Sequence, residues 1–491
     1  PLVGMEFREQ DKLLYIALAK NRPGIGEINR HRTKYNLDGL PIPSTAPGFK
    51  EVFVIYPVEN VPDTLREFEF IGIRTESLSL LIRPEWKSRL SKMVVLQPVT
   101  FRSKTEYNLH RILRAIDLNT LGSKLTPSDY CAADEQMAPP EEIMVRYSQY
   151  PQIIENTFAL INNCHFEYQF GVPRNKKHYT ATRDTDLELL TSLAYQGLAK
   201  RYGTDNVAAR ERVEKELAVI HQLEFSGYFL ITWDIIRYSN SMGFLHIGRG
   251  SGANSIIAYC LGITDICPLE LDLYFERFLN LNRKSPPDFD IDWSWKERDV
   301  ILDYIFRRYG ADHVAFCGTN VELKYKSIFR EVGKVFGLPK EELDALSGTA
   351  MDRHDKNEVV RLVHRYGMMM EKYPNQRSMH SCGILISEDP ITDFTALEMP
   401  PKGFPIVQFD MHVAEEIGFD KFDILSQRGI GHIDDAVKLI KKNRGITVDI
   451  RDTSLSKDEA ACNEYLGRGK TIGCFYIESP AMRGLLRRLK C

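Results

Sequence analysis

Continuous apolar runs and helical repeats of apolar positions alternate along this chain. Leu13-Leu14-Tyr15-Ile16-Ala17-Leu18-Ala19 is an unbroken run of buried-strand type, and residues 1 to about 20 read as strand, turn, strand. Glu51 to Pro57 and Lys92 to Pro98 repeat the pattern with helical stretches between, so the first 120 residues predict α/β layers. Leu121-Gly122-Ser123 through Pro139-Pro140 is polar and turn-rich, and a boundary is placed there. From about 140 to 245 the pattern is helical, with Val213, Leu217, Ile220 and Leu223 at helical spacing. A strand, a glycine-serine loop and a helix over Ile256 to Leu261 follow, closed by Gly262. Amphipathic helices are predicted over 296–309, with Val300, Ile301, Tyr304 and Ile305 on one face, and over 327–336, packing through Ile328, Phe329, Val332 and Val335. Gly337 and Pro339 end the second. Gly383 to Ser387 and Phe419 to Leu425 read as strands. No internal repeat or low-complexity tract is present.

Length adds that 491 residues make about three domains at roughly 150 residues each. The net charge of −3 offers no basic footprint for nucleic acid, though a basic face can be balanced by acid elsewhere. The nine cysteines include no CxxC pair, which excludes a zinc ribbon and a dithiol redox motif. Scattered cysteines fit a reducing cytosol, and no apolar run is long enough to span a bilayer, so a cytoplasmic protein is expected. Pro1 opens what reads as the middle of a domain, and Cys491 follows the basic helical run Met482 to Lys490. A fragment is therefore expected.

Candidate chemistry begins at Pro287-Asp288-Phe289-Asp290-Ile291-Asp292-Trp293. In a strand, Asp288, Asp290 and Asp292 share one face, and Phe289, Ile291 and Trp293 the other. Carboxylates that close repel one another unless water or a cation lies between them. A solvated acidic edge strand stays open, although the apolar bulk opposite argues for an anchored strand. Trp293 stands where an EF-hand loop needs glycine, so that loop is excluded. Carboxylates spaced to hold Mg²⁺ beside phosphate oxygens suit two-metal phosphoryl chemistry.

Upstream lies His246-Ile247-Gly248-Arg249-Gly250-Ser251-Gly252-Ala253-Asn254-Ser255, between a strand and a helix. Glycines expose successive N–H groups, the helix start adds a positive dipole end, and Arg249 can fork onto phosphate. The loop lacks the Gly-Lys-Ser/Thr ending of a Walker loop and the glycine spacing of the dinucleotide fingerprint. A tight structural turn remains open for the loop alone. Beside a carboxylate strand it points to phosphate and metal held together.

Gly248-Arg-Gly-Ser-Gly-Ala, Ile263-Thr-Asp-Ile-Cys-Pro-Leu-Glu, Phe275-Glu-Arg-Phe-Leu-Asn and Pro287-Asp-Phe-Asp-Ile-Asp, in that order, closely resemble the palm of the bacterial C-family DNA polymerases, the DNA polymerase III alpha subunits. The resemblance covers almost the whole chain, best from about 210 to 490. It implies an α/β multidomain protein: a partial barrel-like phosphoesterase-type domain over 1–122, linker and first part of a polymerase beta-like nucleotidyltransferase palm over 123–317, a helical thumb over 318–382, the second part of the palm over 383–430, and the start of the fingers over 431–491. The 1–122 domain, of polymerase-and-histidinol-phosphatase type, has no His or Asp near Gln97 to Phe101 and reads as degenerate. That degeneracy, with Ile424-Leu-Ser-Gln-Arg-Gly, leans toward the accessory or error-prone type of subunit.

The resemblance implies Asp290, Asp292 and Asp423 as catalytic acids holding two Mg²⁺ ions, with Asp288 a supporting acid. On its own residues Asp423 would read as a surface acid. Arg249, Gly250, Ser251 and Arg277 would hold the incoming deoxynucleoside triphosphate. Lys326, Arg330 and Lys334 form a basic stripe on one helix face, for which a solvated surface is equally open; by the resemblance a lysine near here would also meet the triphosphate, with Lys324 and Lys326 both open and Lys326 preferred. His380 lies in a segment of His-x-Gly-Gly type in which Cys382 takes the place of the first glycine, and a structural role for His380 is equally open. The implied function is template-directed DNA synthesis on primer-template DNA, with a sliding clamp and other replisome subunits as partners of regions absent here. A template-independent nucleotidyltransferase and a catalytically silent scaffold fragment are the alternatives.

Overall fold

β-branched and aromatic runs in the first hundred residues pair into a sheet in the computed structural model, which describes residues 1–283, 287–348, 357–452, 459–474 and 476–490. The strands are β1 (Gly4–Glu9), β2 (Lys12–Ala19), β3 (Val52–Pro57), β4 (Glu69–Ile73), β5 (Met93–Val95), β6 (His246–Arg249), β7 (Asp290–Ser294), β8 (Val314–Glu322), β9 (Pro374–Ile386), β10 (Leu397–Glu398), β11 (Ile406–Val407) and β12 (Phe422–Gln427). With the helices between them they make a mixed α/β chain of two compact units. Pro1–Gln169, Gly318–Met379 and Ile391–Asp410 form one, and Phe170–Cys317, His380–Pro390 and Met411–Cys491 the other.

In the first unit the sheet runs β1-β2-β3-β4-β5. Its first three strands are antiparallel and its last two join in parallel. The expected strands near 13–19, 51–57 and 92–98 are β2, β3 and β5. Strand β4 was not expected, because Glu69 and Gly72 interrupt its apolar run. Glu69 is buried and accepts the Arg66 N–H at 2.8 Å. Phe7 stacks on Tyr15 at 4.8 Å in the core. A second core gathers Leu109 and Ile112 of the helix Lys104–Asp117 with Ile328, Phe329 and Val332 of the helix Tyr325–Val335. Lys326 and Arg330 point to solvent from the latter helix.

The second unit opens with the helices Arg183–Tyr202, Val207–Gln222 and Ser226–Ser241, as the helical pattern predicts. Its strands lie in the order β8-β9-β12-β7-β6. β12 pairs with β7 in parallel and with β9 in antiparallel, so it is an interior strand. It starts at Phe422, later than the expected Phe419, because the Asp420 N–H is taken by Asn175 Oδ1 at 2.8 Å. Behind the sheet, the helix Arg298–Tyr309 buries Ile301, Leu302 and Ile305. Val300 is exposed, which corrects the predicted face: Leu302 is equally apolar, and the packed stripe is turned toward it. Trp293 is fully buried and donates its indole N–H to Ser239 Oγ at 2.7 Å. No helix among the described residues is long and apolar enough to cross a membrane.

Candidate active site

Register assembles the acids. Asp290 of β7 lies opposite Asp423 of β12 on one side and Arg249 of β6 on the other. One oxygen from each of Asp288, Asp290 and Asp423 falls within 4.8 Å of the others. The apolar residues next to them in sequence, Phe289 and Phe422, both stack on Tyr228, at 5.8 and 4.7 Å. Alternation thus does what the sequence implies: one face locks the strands to a core and the other collects charge.

The charged face is graded in depth. The Asp288 side chain is half exposed, Asp290 is partly covered, and Asp292 is only 3 % exposed. Burial, with the neighbouring carboxylates Asp423 and Asp290, pushes Asp288 above the usual carboxylate range despite Lys421. Burial also raises Asp290, against the pull of Arg249. Lys421 donates to Asp423 Oδ2 and lies 3.5 Å from Asp288. Burial opposes its charge, but the hydrogen bond and charge of Asp423, with Asp288, hold it above the usual lysine value.

Asp292 faces Arg249. The guanidinium donates from Nε to Asp292 Oδ2 at 2.7 Å and from Nη1 to Asp290 Oδ2 at 3.3 Å. Asp292 Oδ1 is buried with no hydrogen-bond partner. An orphaned buried carboxylate oxygen is costly unless a cation completes it. Together with the all-oxygen donor set, this fits a hard divalent cation.

The glycine-serine loop closes the other side. Gly250 has φ +74°, and a Cβ there would lie 2.9 Å from Asp290 Oδ2. Only glycine allows the backbone this close in this conformation. Ser251 sits in the same 3₁₀ turn, Gly250–Asn254, which packs against the turn Phe275–Arg277 carrying the exposed Arg277. The expected helix follows as Ile256–Cys260.

Sequence reasoning missed the residue that fixes this loop. Glu216 is wholly buried and accepts from Arg212 Nε at 2.8 Å, Ser255 Oγ at 2.7 Å, Ile256 N at 3.1 Å and Ile257 N at 3.3 Å. Arg212 also donates to the Asn254 and Leu273 carbonyls. One buried ion pair therefore ties the loop to the segment before Arg277. A single acid in an amphipathic helix carries no sequence signal for that role. Arg298 was missed likewise; it donates to the Ile424 carbonyl at 3.1 Å and the Ser381 carbonyl at 2.6 Å, holding β12 and β9 together.

Beside Asp423, Cys382 Sγ donates to Asp423 Oδ1 at 3.3 Å, and His380 Nδ1 accepts the Gly383 N–H at 2.8 Å. Burial, then the charge of Asp423, pushes the Cys382 thiol up to about 11. Burial holds His380 below the usual histidine value. Asp290, Asp292, Asp423, Arg249, Gly250, Ser251 and Arg277 all belong to the second unit; the acid that clusters with Asp290 and Asp423 is Asp288, expected only in support, while Asp292 turns to Arg249. Lys326 belongs to the first unit.

The chain is similar to known proteins over most of its length. A family described as the bacterial DNA polymerase III alpha NTPase domain matches residues 188–426, and one described as the bacterial DNA polymerase III alpha subunit finger domain matches 430–491. An error-prone DNA polymerase of Symbiobacterium thermophilum is 33% identical over 417 residues, 81% of this chain and 38% of that protein. The DNA polymerase III subunit alpha of Bacillus subtilis is 32% identical over 413 residues, 80% of this chain and 36% of that protein. That of Escherichia coli K12 is 31% identical over 433 residues, 81% and 37% respectively. The chain thus spans little more than a third of the length of these relatives.

Proposed function

The chain belongs to the bacterial DNA polymerase III alpha subunit family, and on that premise we propose that it carries the catalytic centre of a template-directed DNA polymerase. The observation that carries the reading is the register that sets Asp423 beside Asp290, with Arg249 and Gly250 on the opposite flank. The substrates are a primer 3′ hydroxyl on a DNA template and a deoxynucleoside triphosphate.

Asp290, Asp292 and Asp423 would hold two Mg²⁺ ions. Bound Mg²⁺ supplies a lowered pKa for the attacking hydroxyl and charge neutralisation on the triphosphate. The protein's part is positioning. β7 and β12 fix the carboxylates, and their aromatic backing keeps them from yielding to mutual repulsion. The Gly250–Ser251 backbone approaches the same point and presents N–H groups to phosphate. Arg249 exchanges a carboxylate for a phosphate partner when substrate enters, and Arg277, of the same unit, adds positive charge to the triphosphate. Catalysis of this kind is chiefly preorganised electrostatics.

We read residues 1–122 as a partial, degenerate phosphoesterase-type domain, 123–317 and 383–430 as linker and palm, 318–382 as thumb, and 431–491 as the start of the fingers. A sliding clamp would contact regions outside this chain.

One observation favours a second reading, a unit that does not turn over: Arg249 and Lys421 already neutralise the carboxylates. Primer extension decides. Asp290→Asn and Asp423→Asn in the complete polymerase are expected to lower extension by several orders of magnitude with folding intact. Near-normal rates in either variant sink the assignment. The 491-residue chain alone, which spans little more than a third of the length of the polymerases it matches, is expected to extend primers weakly or not at all.

A further inference from the structure

The two oxygens of Asp423 face different chemistry. Oδ2 takes Lys421, whereas Oδ1 takes the thiol of Cys382. His380 Nδ1 lies 3.8 Å from the same sulfur. One ligand atom each from His380, Cys382 and Asp423 lies within 4.8 Å of the others. Cys382 and Asp423 are buried, and His380 is partly buried.

The backbone builds this cluster on purpose-shaped ground. β9 and β12 pair antiparallel with Asp423 opposite Gly383. A Cβ on Gly383 would lie 2.9 Å from His380 Nδ1 and 3.1 Å from Lys421 Cδ. Glycine there lets the imidazole fold back over its own strand toward the thiol. Because Nδ1 accepts the Gly383 N–H, it carries no proton, and the neutral ring keeps its hydrogen on Nε2. That tautomer has its ligating lone pair on the sulfur's side.

We propose that His380, Cys382 and Asp423 form a second metal site, selective for a thiophilic divalent cation such as Zn²⁺, whose occupation withdraws Asp423 from the neighbouring carboxylate cluster and inhibits nucleotidyl transfer. Nitrogen, sulfur and oxygen donors are the set that Zn²⁺ takes, with three protein ligands leaving one position for water. Mg²⁺ takes oxygen donors and has no use for the thiolate. Binding sends the thiol proton to solvent and displaces both the Gly383 and the Cys382 N–H from Nδ1. Lys421 keeps Oδ2. The inhibitory consequence rests on the polymerase reading above; the metal site does not.

The test uses Co²⁺ as a coloured stand-in for Zn²⁺ on the purified 491-residue chain. Wild type is expected to develop a thiolate-to-Co²⁺ charge-transfer band, one per chain, that Zn²⁺ removes and Mg²⁺ does not. Cys382→Ser is expected to abolish the band, and His380→Ala to weaken Zn²⁺ binding about 100-fold. Cys474→Ser, at an exposed thiol, leaves the band unchanged. Circular dichroism reports the fold of each variant, and His380→Ala serves if the cysteine variant misfolds. A band that persists in folded Cys382→Ser, or Zn²⁺ affinity unmoved in His380→Ala, overturns the site. In the complete polymerase with Mg²⁺, micromolar Zn²⁺ is expected to slow extension severalfold in wild type and less in Cys382→Gly; equal slowing in both overturns the inhibitory role. A Cys382-dependent band with no extension under any condition upholds the metal site and removes the polymerase reading. Extension without a band does the reverse.

Discussion

Arg249 Nε lies 2.7 Å from Asp292 Oδ2, so the residue expected to grip phosphate is engaged by an acid expected to grip metal. The guanidinium partly occupies the place a cation would take. Arg249→Ala leaves Asp292 buried with neither oxygen satisfied. A loss of about 1–3 kcal/mol is expected in metal-free buffer, the cost of an unsatisfied buried group. Millimolar Mg²⁺ should recover part of it. Thermal unfolding with and without Mg²⁺ checks this; an equal deficit in both buffers would show that the pair is structural only.

Gly250→Ala tests the approach of the loop to Asp290. The backbone there has φ +74°, and an added Cβ meets Asp290 Oδ2 at 2.9 Å. The left-handed conformation alone costs about 1–2 kcal/mol in an L-residue. The larger effect is expected on function, because Asp290 must move. Mg²⁺-dependent stabilisation of the chain and primer extension by the complete polymerase should both fall. A variant that keeps both would mean the loop does not define the position of Asp290.

Glu216→Gln is expected to be among the most damaging substitutions outside the acids. Four donors converge on the two carboxylate oxygens. Glutamine keeps one acceptor and turns an NH₂ group against donors, and it leaves Arg212 without its counterion. Breaking such a buried pair costs about 3–5 kcal/mol. Urea unfolding measures it, and a loss within experimental error would rule out a clamp role.

Asp420 makes stability depend on pH. Burial, then the charge of Glu415, pushes its carboxyl up to about 6 from the ordinary 3.8, with Arg283 pulling the other way and Asp288 adding to the rise. A folded-state value above the unfolded one means the contribution is full below 3.8 and is lost as pH rises through about 6. The gap corresponds to roughly 3 kcal/mol at most. Asp420→Asn should therefore stabilise the protein at pH 8 relative to wild type, with the advantage shrinking toward pH 4. Melting curves across that range test it; a constant offset would contradict the burial of this charge.

The part of the site legible in sequence is the part written in neighbouring residues. Alternation around Phe289, Ile291 and Trp293 announces an anchored strand, and Gly250 beside Ser251 announces a close backbone approach. What alternation hides is depth: it treats Asp288, Asp290 and Asp292 as equivalent, whereas the structure half exposes the first and buries the last. Pairings made across strands are also invisible. Arg249 with Asp292 depends on antiparallel register, and Cys382 with Asp423 on the meeting of β9 and β12. Glu216 looks like any polar position of an amphipathic helix until four donors meet it. Val300 and Leu302 are equally apolar neighbours, and tertiary packing alone selects which is buried.

The interior place of β12 carries a consequence for biosynthesis. β7 and β9 are translated first, and the strand that lies between them is made last. Until residues 422–427 leave the ribosome, β7 and β9 each present an open hydrogen-bonding edge, one bearing Asp290 without its partner. Long-range strand insertion is slow, and open edges invite pairing with other chains. Nascent chains stalled before Phe422 should be the species most dependent on chaperones.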